Sequence, residues 1–245
     1  MAKVKDFYEY LNNSIADFGT QEDWDNSGML VGSLNDEVKK VAVALDITNE
    51  TIELAKQVGA NLIISHHPVI FSGQKKFVDG NPAYELAKNS MNAICCHTPL
   101  DIADGGTNDT LADILGFDVF RKDDPILRYA EIEETTAEKL AKHIAEKLKA
   151  NIRCADGKKP IKKIAICTGA GCSLIEQAGD IDAFITGDAS YHNFLDCAQA
   201  GITLIAAGHF ETENPVVPVL VEKLSKEFTE IEIIGLNQEN PVRYY

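Results

Sequence analysis

The sequence of 245 residues lacks any apolar run of roughly 18 residues, the length that a transmembrane helix needs, so none is expected. Its first residues, 1–6, also lack the apolar stretch of a signal peptide. Because nothing marks the chain for export, we predict a cytoplasmic protein. Apolar residues make up 45% of the chain and charged residues 25%, a composition typical of a globular protein with a buried core.

Basic residues are scarce. The chain has 23 lysines and arginines against 38 acidic residues, which gives a net charge of −15. The basic clusters are short, at Lys158-Lys159 and Lys162-Lys163. Such a surface repels phosphate backbones, so nucleic acid is not an expected partner.

The sequence has no Cys-x-x-Cys pair among its six cysteines, so a structural zinc knuckle is not supported. Several cysteines lie in apolar strand-like runs, which favours buried, reduced thiols. A P-loop, a serine-hydrolase elbow and a cysteine-nucleophile motif are also missing from the sequence. These absences exclude several common enzyme classes and direct attention to the histidines.

Helical and strand patterns alternate along the chain, which predicts an α/β fold: two α/β lobes with mixed sheets covered by helices. Apolar strand-like runs lie at residues 38–47, 61–70 and 93–96, and again at 163–167, 183–186, 202–206 and 229–236. The segment Asp123-Asp124-Pro125 resembles a boundary. We therefore predict an N-terminal lobe at 1–122 and a C-terminal lobe at 123–245, with the last strand and helix able to return to the first lobe.

Four of the six histidines stand at or just after the ends of apolar strands: His66, His67, His97 and His209. Asp101 and Glu213 each follow one of these histidines by four residues. In open α/β sheets, ligands collect beyond the carboxyl ends of the strands. Imidazole with carboxylate suits zinc, manganese, iron or nickel, so the pattern predicts a metal site at the strand ends.

The pair His66-His67 bears on the number of ions. Neighbouring side chains of an extended chain point to opposite faces, and Pro68 favours an extended His67. Two such imidazoles either straddle two ions, or one binds while the other packs. Two metals about 3.5–4 Å apart need a bridging carboxylate, and Asp101 or Glu213 can supply it.

Other motifs are weaker. Gly169-Ala170-Gly171 follows a strand, but Leu174 replaces the third glycine of a dinucleotide loop, so the motif indicates a tight turn or an anion site. Asp188 and His192 are four residues apart at a predicted helix start. They can orient the metal ligands or carry protons, or they can be a helix cap and a surface histidine.

Six segments together resemble the NGG-interacting-factor-like (Nif-three-like) dinuclear metal-centre family, also labelled GTP cyclohydrolase I type-two homologues. They span nearly the whole chain in the family's order. The segments are WDNSGMLVG (24–32), LIISHHPVIF (62–71), HTPLDIADGGTND (97–109), AICTGAGCSLI (165–175), ITGDASYH (185–192) and AAGHFETE (206–213).

The resemblance implies a metal site between the two lobes, with two metal ions per subunit and a homohexameric ring. The metal ligands that it implies are the set His66, His67, Asp101, His209 and Glu213. The stretch 118–163 is too short for the extra domain that some members carry, so no large inserted domain is expected. Ala207 departs from the aspartate that is common before Gly-His, and Tyr191 departs from a frequent histidine.

The favoured hypothesis is a metal-dependent hydrolase, and the family label suggests a nucleotide, a cyclic amide or a phosphoester as its small-molecule substrate. His97, Asp188 or His192 would carry protons, with His97 favoured because it lies near Asp101 in the sequence. The alternative is a non-catalytic metal-binding scaffold or metallochaperone. A ring that encircles nucleic acid is a third possibility, and the charge of −15 argues against it.

Overall fold

The computed structural model describes residues 1–244, which fold as two compact α/β units. The first unit contains Met1–Ala103 and the C-terminal segment from Val216 onward, and the second contains Asp104–Pro215. The chain therefore changes unit at Asp104 rather than near residue 122, where the sequence placed the boundary. The reason is that the helix 107–115 contributes Leu111 and Leu115 to the hydrophobic core of the second unit.

The described residues contain ten strands and nine α-helices. The strands are Gly28–Val31 (β1), Lys40–Ala44 (β2), Leu62–Ser65 (β3), Asn92–Cys95 (β4), Arg128–Thr135 (β5), Arg153–Ala155 (β6), Ile161–Cys167 (β7), Ala183–Thr186 (β8), Thr203–Ala206 (β9) and Glu232–Gly235 (β10). The helices are Val4–Tyr10 (α1), Asn49–Val58 (α2), Pro82–Lys88 (α3), Thr98–Ile102 (α4), Thr107–Leu115 (α5), Ala137–Leu148 (α6), Tyr191–Ala200 (α7), His209–Glu213 (α8) and Val216–Glu227 (α9).

The first unit is built on a sheet of order β1-β4-β3-β2-β10. Its four strands β4, β3, β2 and β10 are parallel, and β1 pairs antiparallel at the edge. Strands β2, β3 and β4 are buried along nearly their whole length, as expected of parallel strands covered on both faces. The mixed α/β class predicted from the sequence is confirmed.

The second unit has its own sheet, of order β5-β7-β8-β9-β6. Strands β7, β8 and β9 are parallel, while β5 and β6 pair antiparallel at the two edges. The edge strands β1 and β6 were missed in the sequence. Strand β6 has only three residues, two of them exposed, and β1 has only three apolar residues between Gly28 and Gly32. Neither segment gives an apolar run or an alternation clear enough to predict a strand.

Helix α2 shows how local sequence sets the element boundaries. The hydroxyl of Thr48 accepts a hydrogen bond from the backbone N–H of Thr51, and the hydroxyl of Thr51 accepts one from the backbone N–H of Thr48. This reciprocal pair makes Thr48 the N-cap of the helix. At the other end, Gly59 takes the left-handed conformation with φ of 79°, which ends the helix at little steric cost. Between them Ile52 and Ala55 are buried in the first unit's core.

All six cysteines are free thiols, and four of them, Cys95, Cys96, Cys167 and Cys197, are buried. Burial raises the pKa of Cys96 to about 12, so this thiol stays protonated at neutral pH. Among the helices of residues 1–244, none combines enough length and apolar character to cross a bilayer.

Candidate functional site

The register of the first unit's parallel strands brings several polar residues to one edge of the sheet. Ala44 of β2 pairs with Ser65 of β3, and Ser65 pairs with Cys95 of β4, so the three strands end level with one another. The residues that follow these strand ends are Asp46, His66 with His67, and His97. Their convergence therefore follows from the strand alignment, since parallel strands place their carboxyl ends along a common edge.

His66 is fully buried, and both of its ring nitrogens face oxygen atoms. Its Nδ1 lies 3.1 Å from the backbone carbonyl oxygen of Cys96. Because a carbonyl can only accept, Nδ1 carries the proton and donates, which leaves the Nε2 lone pair to act as a ligand. That Nε2 lies 3.7 Å from Asp101 Oδ1, too far for a hydrogen bond but suited to two groups that share an ion.

His67 and His97 are oriented in the same way by carboxylates. Nδ1 of His67 donates to Asp46 Oδ1 at 2.8 Å, and Nδ1 of His97 donates to Asp25 Oδ1 at 2.7 Å. A carboxylate behind an imidazole fixes its tautomer and raises the basicity of the other nitrogen, an arrangement that recurs behind metal-binding histidines. The ligating atoms of His66, His67 and His97 all lie within 4.8 Å of one another.

The opposed orientation predicted for His66 and His67 is wrong. Strand β3 ends at Ser65, so the alternation of an extended chain does not continue through the pair. The hydroxyl of Ser65 donates to the carbonyl of His67 and closes a turn. As a result the two ring centroids lie only 4.8 Å apart, with both imidazoles in one cluster.

Asp101 joins the cluster through a short helix that the sequence analysis did not predict. Helix α4 begins directly after His97, and the N–H of Asp101 donates to the carbonyl of His97 at 3.3 Å. This helix places the Asp101 carboxylate beside His66, with Oδ1 3.7 Å from the His66 Nε2 atom. The Asp101 side chain is only 14% exposed.

The carboxylate of Asp25 is a second group that sequence analysis did not single out. It accepts hydrogen bonds from the His97 ring, the Thr98 hydroxyl and backbone N–H, and the Ser27 hydroxyl. Burial alone raises the pKa of Asp25, but these donors outweigh it and hold the pKa well below its ordinary value. The carboxylate is therefore ionised at neutral pH and can stabilise a protonated His97.

The second unit repeats the strand-end arrangement. Cys167 pairs with Thr186 and Thr186 with Ala206, so β7, β8 and β9 also end level. Asp188 and His209 follow two of these ends, and His209 begins helix α8. Its Nδ1 donates to Asp188 Oδ2 at 2.7 Å, while its Nε2 lies 3.0 Å from Glu213 Oε2, one helical turn away. Both nitrogens of His209 thus face carboxylates, an arrangement that a shared cation stabilises.

Gly169 shows that the backbone is shaped around the Glu213 carboxylate. A Cβ at this position would lie 1.9 Å from Glu213 Oε1 and 3.2 Å from His209 Nε2, and the φ angle is +56°. Its N–H donates to the Thr212 hydroxyl, and its carbonyl accepts from the N–H groups of Gly187 and Asp188. The N–H and carbonyl groups of Gly169 are thus hydrogen-bonded within the protein. The absence of a side chain at this turn leaves room for the Glu213 carboxylate.

His192 lies apart from these contacts. Ser190 caps α7, so Asp188 precedes the helix and does not share a helical face with His192. Asp188 instead holds His209. The ring of His192 is exposed and packs edge-on against Tyr191, and no hydrogen bond or ion pair to it occurs among residues 1–244.

The donor chemistry fits a divalent metal in both units. Four histidines present Nε2 after Nδ1 has donated to an oxygen, and carboxylates stand beside two of them. Imidazole with carboxylate is the ligand set of zinc and of several first-row transition metals. The sequence analysis did not single out Asp25 or Asp46, although Asp46 lies two residues after the end of β2 and shares the strand-end signal that identified His66.

Fold and side chains together define a class: a two-unit α/β protein with strand-end groups that can bind a metal. The chain belongs to the Duf34/NIF3 (NGG1p interacting factor 3) family, whose model matches residues 2–241. It is 36% identical to the "GTP cyclohydrolase 1 type 2 homolog" of Campylobacter jejuni over 249 aligned positions, covering 99% of this chain and 100% of that relative.

Two further relatives extend the comparison. The Helicobacter pylori J99 protein named "GTP cyclohydrolase 1 type 2" is 33% identical, over 91% of this chain and 92% of its own length. The crystal structure of Staphylococcus aureus protein SA1388 matches with a TM-score of 0.88 and 27% identity. That match covers 100% of this chain and 99% of the other, so the likeness extends over both units.

Proposed function

We propose that this protein binds two divalent metal ions per subunit through His66, His67, Asp101, His209 and Glu213, and that it uses them to hydrolyse a small substrate. The observation that carries the proposal is the shared orientation of the imidazoles, each of which donates Nδ1 to an oxygen and keeps Nε2 for a ligand. When bound, divalent ions supply Lewis acidity and lower the pKa of water.

His97 is the residue that we propose to move protons. Its Nδ1 is held by Asp25, whose lowered pKa keeps a negative charge behind the ring. This charge stabilises the imidazolium that forms when Nε2 takes a proton, as in other enzymes that pair a histidine with a carboxylate. Asp188 is better suited to positioning His209, and no contact supports a proton-carrying role for His192.

The substrate that we propose is a nucleotide, a cyclic amide or a phosphoester. The relative from Helicobacter pylori is named "GTP cyclohydrolase 1 type 2", and the relative from Campylobacter jejuni is named as its homologue. A nucleotide offers both a ring amide and phosphate ester bonds. With metal assistance, water can break the C–N bond of the amide, which opens the ring, or break a P–O bond, which releases the alcohol or phosphate.

A screen of the zinc-loaded and manganese-loaded protein tests the catalytic part of the proposal. The panel contains GTP, a cyclic amide such as hydantoin and a phosphodiester such as bis-p-nitrophenyl phosphate. We expect turnover of at least one substrate that chelation abolishes. Replacement of His97 by Asn should lower kcat by about 10²–10⁴-fold and remove one limb of the pH profile.

The chelated protein and the variant His192→Ala serve as controls in this screen. Stable metal binding without turnover across the panel would favour a non-catalytic metal-binding scaffold or metallochaperone. An equal loss of activity in His192→Ala would contradict the assignment of the proton role to His97.

We further propose that the subunits assemble as a homohexamer, on the basis of the family resemblance. Closed symmetric rings are common among homo-oligomers. Light scattering on the purified protein should then give a mass six times that of the 26.8 kDa chain. A monomeric or dimeric mass would contradict this assembly.

A further inference from the structure

Two large aromatic side chains of the first unit lie exposed beside the imidazole cluster. Trp24 is 57% exposed and Phe71 is 52% exposed. Their ring centroids lie 5.9 Å apart, and each is within about the same distance of the His97 ring, at 5.8 Å and 6.0 Å. The two rings, which we call the aromatic platform, thus border a residue of the proposed site directly.

The segment that carries Trp24 is held by polar contacts. The neighbouring Asp25 bonds to Ser27, His97 and Thr98, and Asn26 Nδ2 donates to the carbonyl of Ile70 at 2.5 Å. The last bond ties this segment to the residue before Phe71. The chain next to each ring is therefore anchored while the rings remain open to solvent, and such pre-organisation favours the binding of a ligand.

The planes of the two platform rings are inclined by 44°. We propose that a planar heteroaromatic ring of the small-molecule substrate stacks on one of them and packs its edge against the other, and that this contact presents the substrate's reacting bond to the imidazole cluster. This inference rests on the proposed function, because it assigns the substrate's ring to the same site. Aromatic faces stack on flat rings such as nucleobases whatever the pattern of hydrogen-bonding groups on the ring edge.

The size of the aromatic platform favours a small ring over a second copy of this chain. Aromatic side chains bury about 150–250 Å² each, so two of them supply far less than the roughly 1,000 Å² of a specific protein interface. The adjacent groups also favour a small substrate, since His97 and Asp25 offer a proton-transfer pair immediately beside the rings.

The fluorescence of Trp24 can report on contact with a ligand without an added label, because Trp24 is the only tryptophan of the sequence. Guanosine 5′-monophosphate is the probe, and ribose 5-phosphate, which lacks the ring, is the matched control ligand. Titration of zinc-loaded protein should show saturable quenching of Trp24 fluorescence by the nucleotide and none by the sugar phosphate. Equal quenching by both ligands, or no quenching by either, would overturn the proposal.

Variants test the same claim through affinity. Equilibrium dialysis should show that Trp24→Leu and Phe71→Leu each weaken binding of guanosine 5′-monophosphate at least about fivefold, the lower end of the effect of losing one stacked ring. Tyr244→Leu, which removes an exposed aromatic residue elsewhere, should bind as the wild type does. Unchanged affinity in both platform variants would refute stacking.

Two further readouts separate this proposal from its alternatives. Zinc content should be the same in the wild type and the platform variants, and the titration is repeated on chelated protein. If the wild type holds no zinc, the proposed function fails. A preference for the nucleotide over the sugar phosphate would still show that the platform stacks the ring, and the absence of that preference would refute stacking. A change of oligomeric state in Trp24→Leu would instead assign the aromatic platform to an interface between copies and overturn the proposal.

Discussion

At the scale of single residues, the candidate site depends on how closely backbone and side chain approach each other around Glu213. Gly169 has a positive φ of +56°, and any Cβ there would overlap the Glu213 carboxylate. The Glu213 side chain is only 6% exposed, so the atoms packed around it hold its carboxylate in one orientation. The glycine therefore contributes to the site although it has no side chain.

Substitution of this glycine tests that contribution. We predict that Gly169→Ala lowers metal content and destabilises the fold, because the methyl group must displace Glu213 and the backbone disfavours alanine at this φ. Gly179→Ala is the matched control, since Gly179 also has a positive φ, of +70°, but a Cβ there would have no atom within 4 Å. Metal analysis and urea unfolding measure both effects.

In both variants the free energy of unfolding should fall by about 1 kcal/mol, because alanine is disfavoured at a positive φ. The two variants should differ in metal content. Gly179→Ala should keep the wild-type metal content. Equal metal content in the two variants would show that the close approach of Gly169 to Glu213 does not matter for binding.

At the scale of elements, capping decides where helices begin, and α2 has two candidate caps side by side, Thr48 and Asn49. The structure assigns the cap to Thr48, which exchanges hydrogen bonds with Thr51. Both residue types are good caps, so composition could not choose between neighbours. The strand ends that carry the candidate ligands were easier to predict, because the buried apolar runs at β3 and β4 stop at histidines.

The assignment of the cap is testable by a pair of alanine variants. We predict that Thr48→Ala lowers the free energy of unfolding by about 1 kcal/mol, because it leaves the N–H of Thr51 without its hydroxyl acceptor. Asn49→Ala should cost less, since Asn49 contributes one exposed hydrogen bond, to the carbonyl of Gly80. Urea unfolding of both variants measures these free energies. A larger loss of free energy of unfolding in Asn49→Ala than in Thr48→Ala would contradict the assignment of Thr48 as the cap.

At the scale of the whole molecule, the sequence predicts the class of fold better than it predicts the path of the chain. Alternating strand and helix patterns were enough to predict two α/β units with mixed sheets. The unit boundary was not predictable, because it depends on where α5 finds its hydrophobic partners, such as Ile164, which lie far along the chain. Asp25 was missed for the same reason: its partner His97 is 72 residues away in the sequence.

The central claim is that side chains from separate strand ends bind two metal ions. Elemental analysis of protein purified without chelators and then supplied with zinc tests it most directly. We predict about two equivalents of metal per chain in the wild type and in His192→Ala, and a clear loss in Asp101→Asn and His209→Ala. Metal near zero in the wild type, or unchanged metal in both ligand variants, would contradict the account.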